Sequence, residues 1–274
     1  YEIASCLVGS EMCIRDSNLK NKHVNDSRVF FDSMNHEYFV DGKKIKYSVT
    51  GLIESFFPKF DSDYWSSKKA IERIQMESGK LTDENISNVK KDILMEWEGN
   101  RKDAADKGTL LHEKIENFYN NIEDSIDAPE FIYFKNFIKK YPKLKPYKTE
   151  WRIFDSNLSL AGSIDMVYEK DNGDLFLFDW KRSTKIVNGA GHLIESDYDY
   201  GFDELSHIAD NSYNRYSLQL NLYKYVIENN YGKKISSMNL LILHPHFHTF
   251  FHLQIPKLEK ETEFLITAAR NKSI

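Results

Sequence analysis

Asn172-Gly173, set between the strand-length apolar segments LSLAGSIDMVYE and DLFLFDWKRS, constrains this chain more than any other feature. Asn-Gly suits the positive backbone angles of a tight hairpin turn, so the two segments are expected to pair antiparallel. Asp165 and Asp179 stand 14 positions apart with the turn midway, which brings their carboxylates close across the pair. Side chains alternate along a strand, so Asp179 and Lys181 share one face while Trp180 points to the other. The neighbours Leu175, Phe176, Leu177 and Phe178 are apolar, and a carboxylate beside such a run is costly unless paired or metal-bound. Two acids and an ammonium at one end of a sheet supply what phosphodiester hydrolysis needs, oxygen ligands for Mg²⁺ and a cation beside the attacking water. Taken alone, the same residues read better as a salt-bridged Asp–Lys pair at a strand end, since charged strand ends are ordinary.

The rest of the chain supplies helices and strands for one mixed sheet. From Arg28, RVFFDSMNHEYFVDGKKIKYSV reads as short strands broken at Met34-Asn35-His36 and at Asp41-Gly42. Ser48 suits a helix N-cap before VTGLIESFF, Pro58 ends that run, and Asp61 or Ser62 caps a second helix through Gln75. A long charged helical stretch starts near Glu84, with an interruption expected at Gly108. It resumes as TLLHEKIENFYN, where Leu111, Ile115, Phe118 and Tyr119 mark a buried stripe. A helix over about Pro129–Tyr141 leads into YKTEWRIF, the strand before the hairpin. After an irregular stretch from Lys185 to about Asn211 come a helix ending near Gly232, two strands (ISSMNLLILHP and TFFHLQIP) and a terminal helix from about Leu258. This order predicts an α/β (α+β) fold around a central mixed β-sheet flanked by helices.

Composition excludes more than it selects. The 274 residues carry a net charge of −5, so bulk electrostatics announce no nucleic-acid binder, although a local basic surface suffices to hold phosphate. No apolar run approaches the ~20 residues of a membrane span. The two cysteines, Cys6 and Cys13, argue against a disulfide framework and for a reducing, intracellular setting, cytoplasmic or nuclear. The string CLVGSEMCIRDS resembles a translated sequencing-adapter sequence. Residues 1–17 are therefore expected to be extraneous or disordered, with 18–274 forming a single domain and any targeting signal lost with the true N-terminus.

Four further residues have ordinary readings one at a time. His112, beside the buried stripe of its helix, reads as a hydrogen-bonded core histidine, and Glu150 in TEWRIF as a surface strand acid. Gln219 and Tyr223, four apart, read as a polar helix edge. Together and in order, however, GTLLH, TEW, GSID, DWK and QLNLY resemble the RecB-like branch of the PD-(D/E)XK nucleases. That family shows a G-T-x-x-H helix, a strand glutamate, a G-x-x-D strand, a D/E-x-K strand and a Q-x-x-x-Y helix. YSVTGLIESFFPKF also looks like the leader of such nucleases in large DNA viruses.

The resemblance implies a restriction-endonuclease-like core with an N-terminal β-hairpin and helical segment, and a Mg²⁺- or Mn²⁺-dependent deoxyribonuclease of recombination, repair or replication. It implies Asp165 and Asp179 as metal ligands, with the Trp180 carbonyl and His112. Lys181 would orient or deprotonate the attacking water, helped by a lowered pKa. Glu150 would bind a second metal or order that water, and Gln219 and Tyr223 would support the site or touch the phosphate. The expected products are a 5′-phosphate and a 3′-hydroxyl, from DNA that is single-stranded or has ends, with RNA not excluded. Ile164 stands where the family often has Pro, and Asp179 where Glu is frequent. With two cysteines the four-cysteine iron–sulfur cluster of some relatives cannot form. The alternative is a catalytically silent nucleic-acid-binding module on the same fold.

Three other patterns stand out. Lys135, Lys139, Lys140, Lys143, Lys145 and Lys148 form an acid-free run with Tyr141 and Tyr147, suited to guiding a phosphate backbone or simply to solvation. Glu195, Asp197, Asp199, Asp203 and Glu204 cluster in the irregular insert as a lid against duplex DNA or a mobile polar loop. His244, His246, His248 and His252 invite a zinc reading, but HPHFHTFFH is expected to span a turn, where strand alternation breaks.

Overall fold

The computed structural model describes residues 17–195 and 198–272. The segment expected to be extraneous lies outside the described residues, apart from Ser17. The described residues form two compact units, 59–109 on the one hand and the rest of the chain on the other.

The larger unit opens with a short helix α1 (Ser17–Lys20) and a three-stranded antiparallel sheet of β1 (Val29–Asp32), β2 (Glu37–Val40) and β3 (Lys43–Lys44). Strand β4 (Tyr47–Ser48) then enters the main sheet, and Ser48 caps α2 (Val49–Glu54) by accepting from the Gly51 N–H. The smaller unit contains α3 (Ser62–Met76), whose N-cap Asp61 accepts from the Tyr64 N–H. The helix α4 (Asp83–Tyr119) runs from that unit into the larger one. Within residues 59–109, Ser66, Ala70, Ile74 and Ile93 are buried, and Lys90–Asp63 and Arg73–Glu96 form surface ion pairs.

The expected break at Gly108 does not occur. Helix α4 passes through it unbroken for 37 residues. A helix-interior glycine costs only about 1 kcal/mol relative to alanine, which the burial of Leu111, Ile115 and Tyr119 further along the helix offsets.

Helix α5 (Phe131–Lys140) precedes the long strands β5 (Lys145–Asp155), β6 (Leu160–Glu169) and β7 (Leu175–Lys181). Gly173 turns the β6–β7 hairpin at φ +82°. Next come α6 (Ser212–Asn230), closed by Gly232 at φ +61°, then β8 (Ile235–Ile242), β9 (Phe251–Gln254) and α7 (Glu259–Lys272). The main sheet has the order β4-β6-β7-β8-β9, with β5 also on β6. The β4–β6 and β7–β8 pairs are parallel and the others antiparallel. This is the mixed sheet flanked by helices that the sequence predicts.

Helices cover both faces. On one, Leu52 and Ile53 of α2, Leu218, Leu222 and Val226 of α6, and Leu265 of α7 pack against Ile153, Ile164 and Leu177. On the other, Leu111 and Ile115 of α4 and Phe134 and Phe137 of α5 pack against Met166, Tyr168, Phe178 and Trp180. The outer edge of β5 is not left bare. Asn18 accepts from the Thr149 N–H and donates to the Thr149 carbonyl, and Asn21 donates to the Tyr147 carbonyl. Side-chain amides thus take the place of a neighbouring strand. No described helix is long and apolar enough to cross a membrane.

Candidate metal centre

The ladder on β6 contains a gap. On the edge away from β5 it pairs with β4 at Leu160 and Ala161, and with β7 from Met166 to Glu169. Residues 162–165 lie between, where β7 diverges while still paired to β8 as far as Lys181. Asp165 sits at the mouth of this gap, and its Oδ2 accepts from the Trp180 N–H at 2.7 Å. Facing alternation also breaks here: Ile164 packs on the α6 side, and Met166, two residues on, packs on the opposite side.

Glu150 stands opposite Asp165 across β5–β6, between the registered pairs Thr149↔Met166 and Trp151↔Ile164. Its φ is +46°, a left-handed conformation in mid-strand. For a non-glycine residue this stores about 1–3 kcal/mol, and it redirects the side chain relative to a regular strand. Ser163 Oγ donates to Glu150 Oε2 at 3.3 Å.

His112 reaches the gap from α4. Its Nε2 lies 3.1 Å from the Trp180 carbonyl oxygen. A carbonyl only accepts, so Nε2 carries the proton, and in the neutral ring the Nδ1 lone pair is left 3.8 Å from Asp165 Oδ1. Ligand atoms of His112, Glu150 and Asp165 all lie within 4.8 Å of one another.

Beside them, the Lys181 ammonium is 2.5 Å from Asp179 Oδ2 and stands 4.5 Å above the Tyr216 ring of α6. Asp179 is 2% exposed, and its Oδ2 accepts no directed hydrogen bond despite the ammonium. Gln219 Nε2 donates to the Tyr223 hydroxyl at 2.8 Å, and both side chains are buried. Tyr223 in turn packs on Gly162, where a Cβ would sit 2.5 Å from the ring. That close approach is why glycine stands in GSID.

Charge is concentrated here at a cost. Burial, with Asp165 and Glu116 adding repulsion, pushes Glu150 up to about 8. Burial also pushes Asp179 up, against the pull of Lys181 and with a further push from Asp165, to about 6. For Lys181, burial pulls downward, but Asp179 and Asp165 outweigh it and hold the amine above its ordinary range. Without a cation, two carboxylates thus stabilise the Lys181 ammonium, the opposite direction to the lowering expected beside a metal ion.

Every residue singled out from the sequence is accounted for. His112, Glu150 and Asp165 converge, Asp179 and Lys181 pair beside them, and the Trp180 carbonyl meets His112. Gln219 and Tyr223 lie behind β6, bonded to each other, so they buttress the site. Three contributors went unread: Ser163, Tyr216 and Glu116. Glu116 follows His112 by four residues on one helix face, and Tyr216 precedes Gln219 by three, so helical spacing could have found both.

The other patterns dissolve or shrink. Lys148 leaves the lysine run, because its side chain is 4% exposed and paired with Asp26 at 2.5 Å. Lys145 pairs with Asp171 at the hairpin end of the sheet. The acidic insert is tied down where the Phe202 N–H meets the Phe56 carbonyl and where Leu205 is fully buried, while Asp197 lies outside the described residues. Among the described residues, His244, His246, His248 and His252 form no metal-binding group, and His252 instead bonds Asn239 and Tyr141.

The donor set fits a divalent cation. It offers carboxylate oxygens and one neutral imidazole, the ligand types of Mg²⁺ and, with the nitrogen, of Mn²⁺. An imidazole nitrogen 3.8 Å from a carboxylate oxygen, next to a glutamate that burial holds protonated, is an arrangement a cation would bridge.

No protein-family model matches the chain, and no curated protein matches it. A solved structure titled "Crystal structure of SSO0001" superposes with a TM-score of 0.30 at 13% identity, covering 100% of this chain and 89% of that one. A likeness that weak carries no argument.

Proposed function

We propose that the protein is a metal-dependent nuclease of the PD-(D/E)XK type that hydrolyses phosphodiester bonds of DNA. One observation carries this reading: His112, Glu150 and Asp165 present ligand atoms within 4.8 Å of one another. They do so at a break in the sheet beside the buried Asp179–Lys181 pair. Structural salt bridges need no third carboxylate, no converging imidazole and no gap in the ladder.

His112, Glu150, Asp165 and Asp179 would hold the cation, which when bound supplies Lewis acidity and a more acidic water. The chain's own residues do the rest. Lys181, kept protonated by Asp179, donates from Nζ to the attacking water or to a non-bridging phosphate oxygen, and its charge offsets the negative charge that builds in the transition state. Tyr216 under Nζ and the Tyr223–Gln219 pair behind Gly162 hold that geometry. In-line attack on phosphorus then breaks the P–O3′ bond, the water's proton passing through solvent to the departing 3′-oxygen, and leaves a 5′-phosphate and a 3′-hydroxyl.

The test is incubation with end-labelled single- and double-stranded DNA in Mg²⁺, Mn²⁺ or EDTA. Cleavage in metal alone is expected. Asp179→Asn or Lys181→Ala should lower it on the order of a thousandfold or more in a folded protein. Wild-type activity in either folded variant refutes the assignment.

A further inference from the structure

The small β1–β2–β3 sheet lies beside this site and plays no part in the mechanism above. Its register pairs Val29 with Val40 and Phe31 with Tyr38, so these four share one face. Val29 and Val40 pack on Phe154 and Ala161 of β5 and β6. Tyr38 packs against that cluster, and Phe31 carries the same face beyond it. The Phe31 and Tyr38 rings lie 4.6 Å apart at 36°, and exposed His36 closes edge-on against Phe31 at 5.1 Å. Phe31 and Tyr38 are half-buried, so each keeps surface free. Tyr38 is within electrostatic reach of the metal centre: burial raises its hydroxyl to about 12, with Arg152 opposing and Glu150 and Asp165 adding to the rise.

Arg152 is the second element. It is exposed, two residues from Glu150, and registered opposite Ser163, which bonds Glu150. Among the described residues no acid pairs with it. It lines a cavity of about 330 Å³ together with Lys22 and Glu150. Asp26 and Lys148, also on that wall, neutralise each other, so Lys22 and Arg152 give the cavity its positive charge.

An aromatic ledge and an unpaired guanidinium beside phosphodiester-cleaving groups match one kind of ligand. Unpaired bases expose π-faces that stack on aromatic rings whatever their sequence, whereas duplex bases already cover each other. We propose that Phe31 and Tyr38 stack an unpaired base next to the scissile phosphodiester while Arg152 holds a neighbouring phosphate, so that the preferred substrate is single-stranded DNA. This rests on the nuclease reading of the site and adds its substrate class.

Fluorescence anisotropy in EDTA, with 5′-fluorescein-labelled dT12 and a labelled 12-base-pair duplex, tests the proposal without any cleavage. The wild type should favour dT12. Phe31→Leu and Tyr38→Leu, which keep the hairpin apolar, should weaken dT12 binding roughly tenfold or more and leave duplex binding unchanged, while Tyr38→Phe binds like the wild type. Arg152→Gln, at an exposed position, should weaken binding and lower the salt slope by about one. Tighter duplex than dT12 binding by the wild type, an unchanged dT12 affinity in folded Leu variants, or an unchanged slope for Arg152→Gln overturns it. Selective dT12 binding without cleavage in Mg²⁺ or Mn²⁺ would refute the nuclease reading and leave the ledge standing.

Discussion

Metal-free protein should lose stability as the pH rises from 5 to 8, the reverse of ordinary carboxylate behaviour. Glu150 titrates near 8 in the folded chain against an ordinary 4.5, so between these values the folded state binds the extra proton. Stability is then complete below about 4.5, the unfolded value, and is lost as the pH climbs towards 8. At about 1.36 kcal/mol per pH unit of difference, the loss is capped near 5 kcal/mol. Glu150 keeps part of its surface in water, so screening leaves about 2 kcal/mol, or roughly 4–8 °C in melting temperature. Asp179, raised to about 6, acts in the same direction over the lower half of the range. The measurement is thermal unfolding at pH 5 and 8 in EDTA, for wild type and Glu150→Gln, whose amide cannot ionise. The wild type should fall relative to the variant, and Mn²⁺ should restore it more at pH 8 than at pH 5. Parallel curves for the two proteins, or a cation effect independent of pH, would refute the electrostatic account of the site.

Other perturbations test other contacts. His112→Ala should weaken Mn²⁺ binding by roughly tenfold or more in calorimetry, whereas equal affinity with reduced thermal stability would make it a packing residue. Gly162→Ala forces a methyl to 2.5 Å from the Tyr223 ring and should cost about 1–3 kcal/mol in denaturant unfolding. Tyr223→Phe, losing only the bond to Gln219, should cost about 1 kcal/mol. Glu130→Ala strands the half-buried Arg182 just beyond Lys181 and should destabilise by about 3 kcal/mol, while pairing it with Arg182→Met should recover much of the loss.

Features governed by short-range rules were legible in the sequence. Asn172-Gly173 marked the hairpin, Ser48 and Asp61 the caps, Gly232 a helix end, and alternation put Asp179 and Lys181 on one face with Trp180 on the other. What escaped depends on distant partners. Nothing within the lysine run separates Lys148 from its neighbours, because Asp26, which neutralises it, lies 122 residues away. Gly108 looked like a break because propensity weighs a residue alone, and the burial of Leu111 and Ile115 further along the same helix outweighs its cost.

The least legible feature is also the one the proposed chemistry most depends on. Alternation describes a regular strand, and a regular β5 would pair Glu150 with Asp165 as one more rung of the ladder. The left-handed turn at Glu150 and the stretch 162–165 of β6, open only on its edge away from β5, instead fall at the same level of the sheet. A metal centre needs carboxylates that converge on a point, whereas a ladder spaces side chains evenly and spends its edge on backbone hydrogen bonds. Opening the ladder frees the Trp180 N–H to fix Asp165 and leaves room for His112 to enter from a helix, while the positive φ within β5 turns Glu150. Strain at one non-glycine residue is the cost of that geometry. Because Glu150 also holds a proton near neutral pH, the same residue that distorts the strand is the one a cation would relieve most, coupling the local fold of β5 to what the site binds.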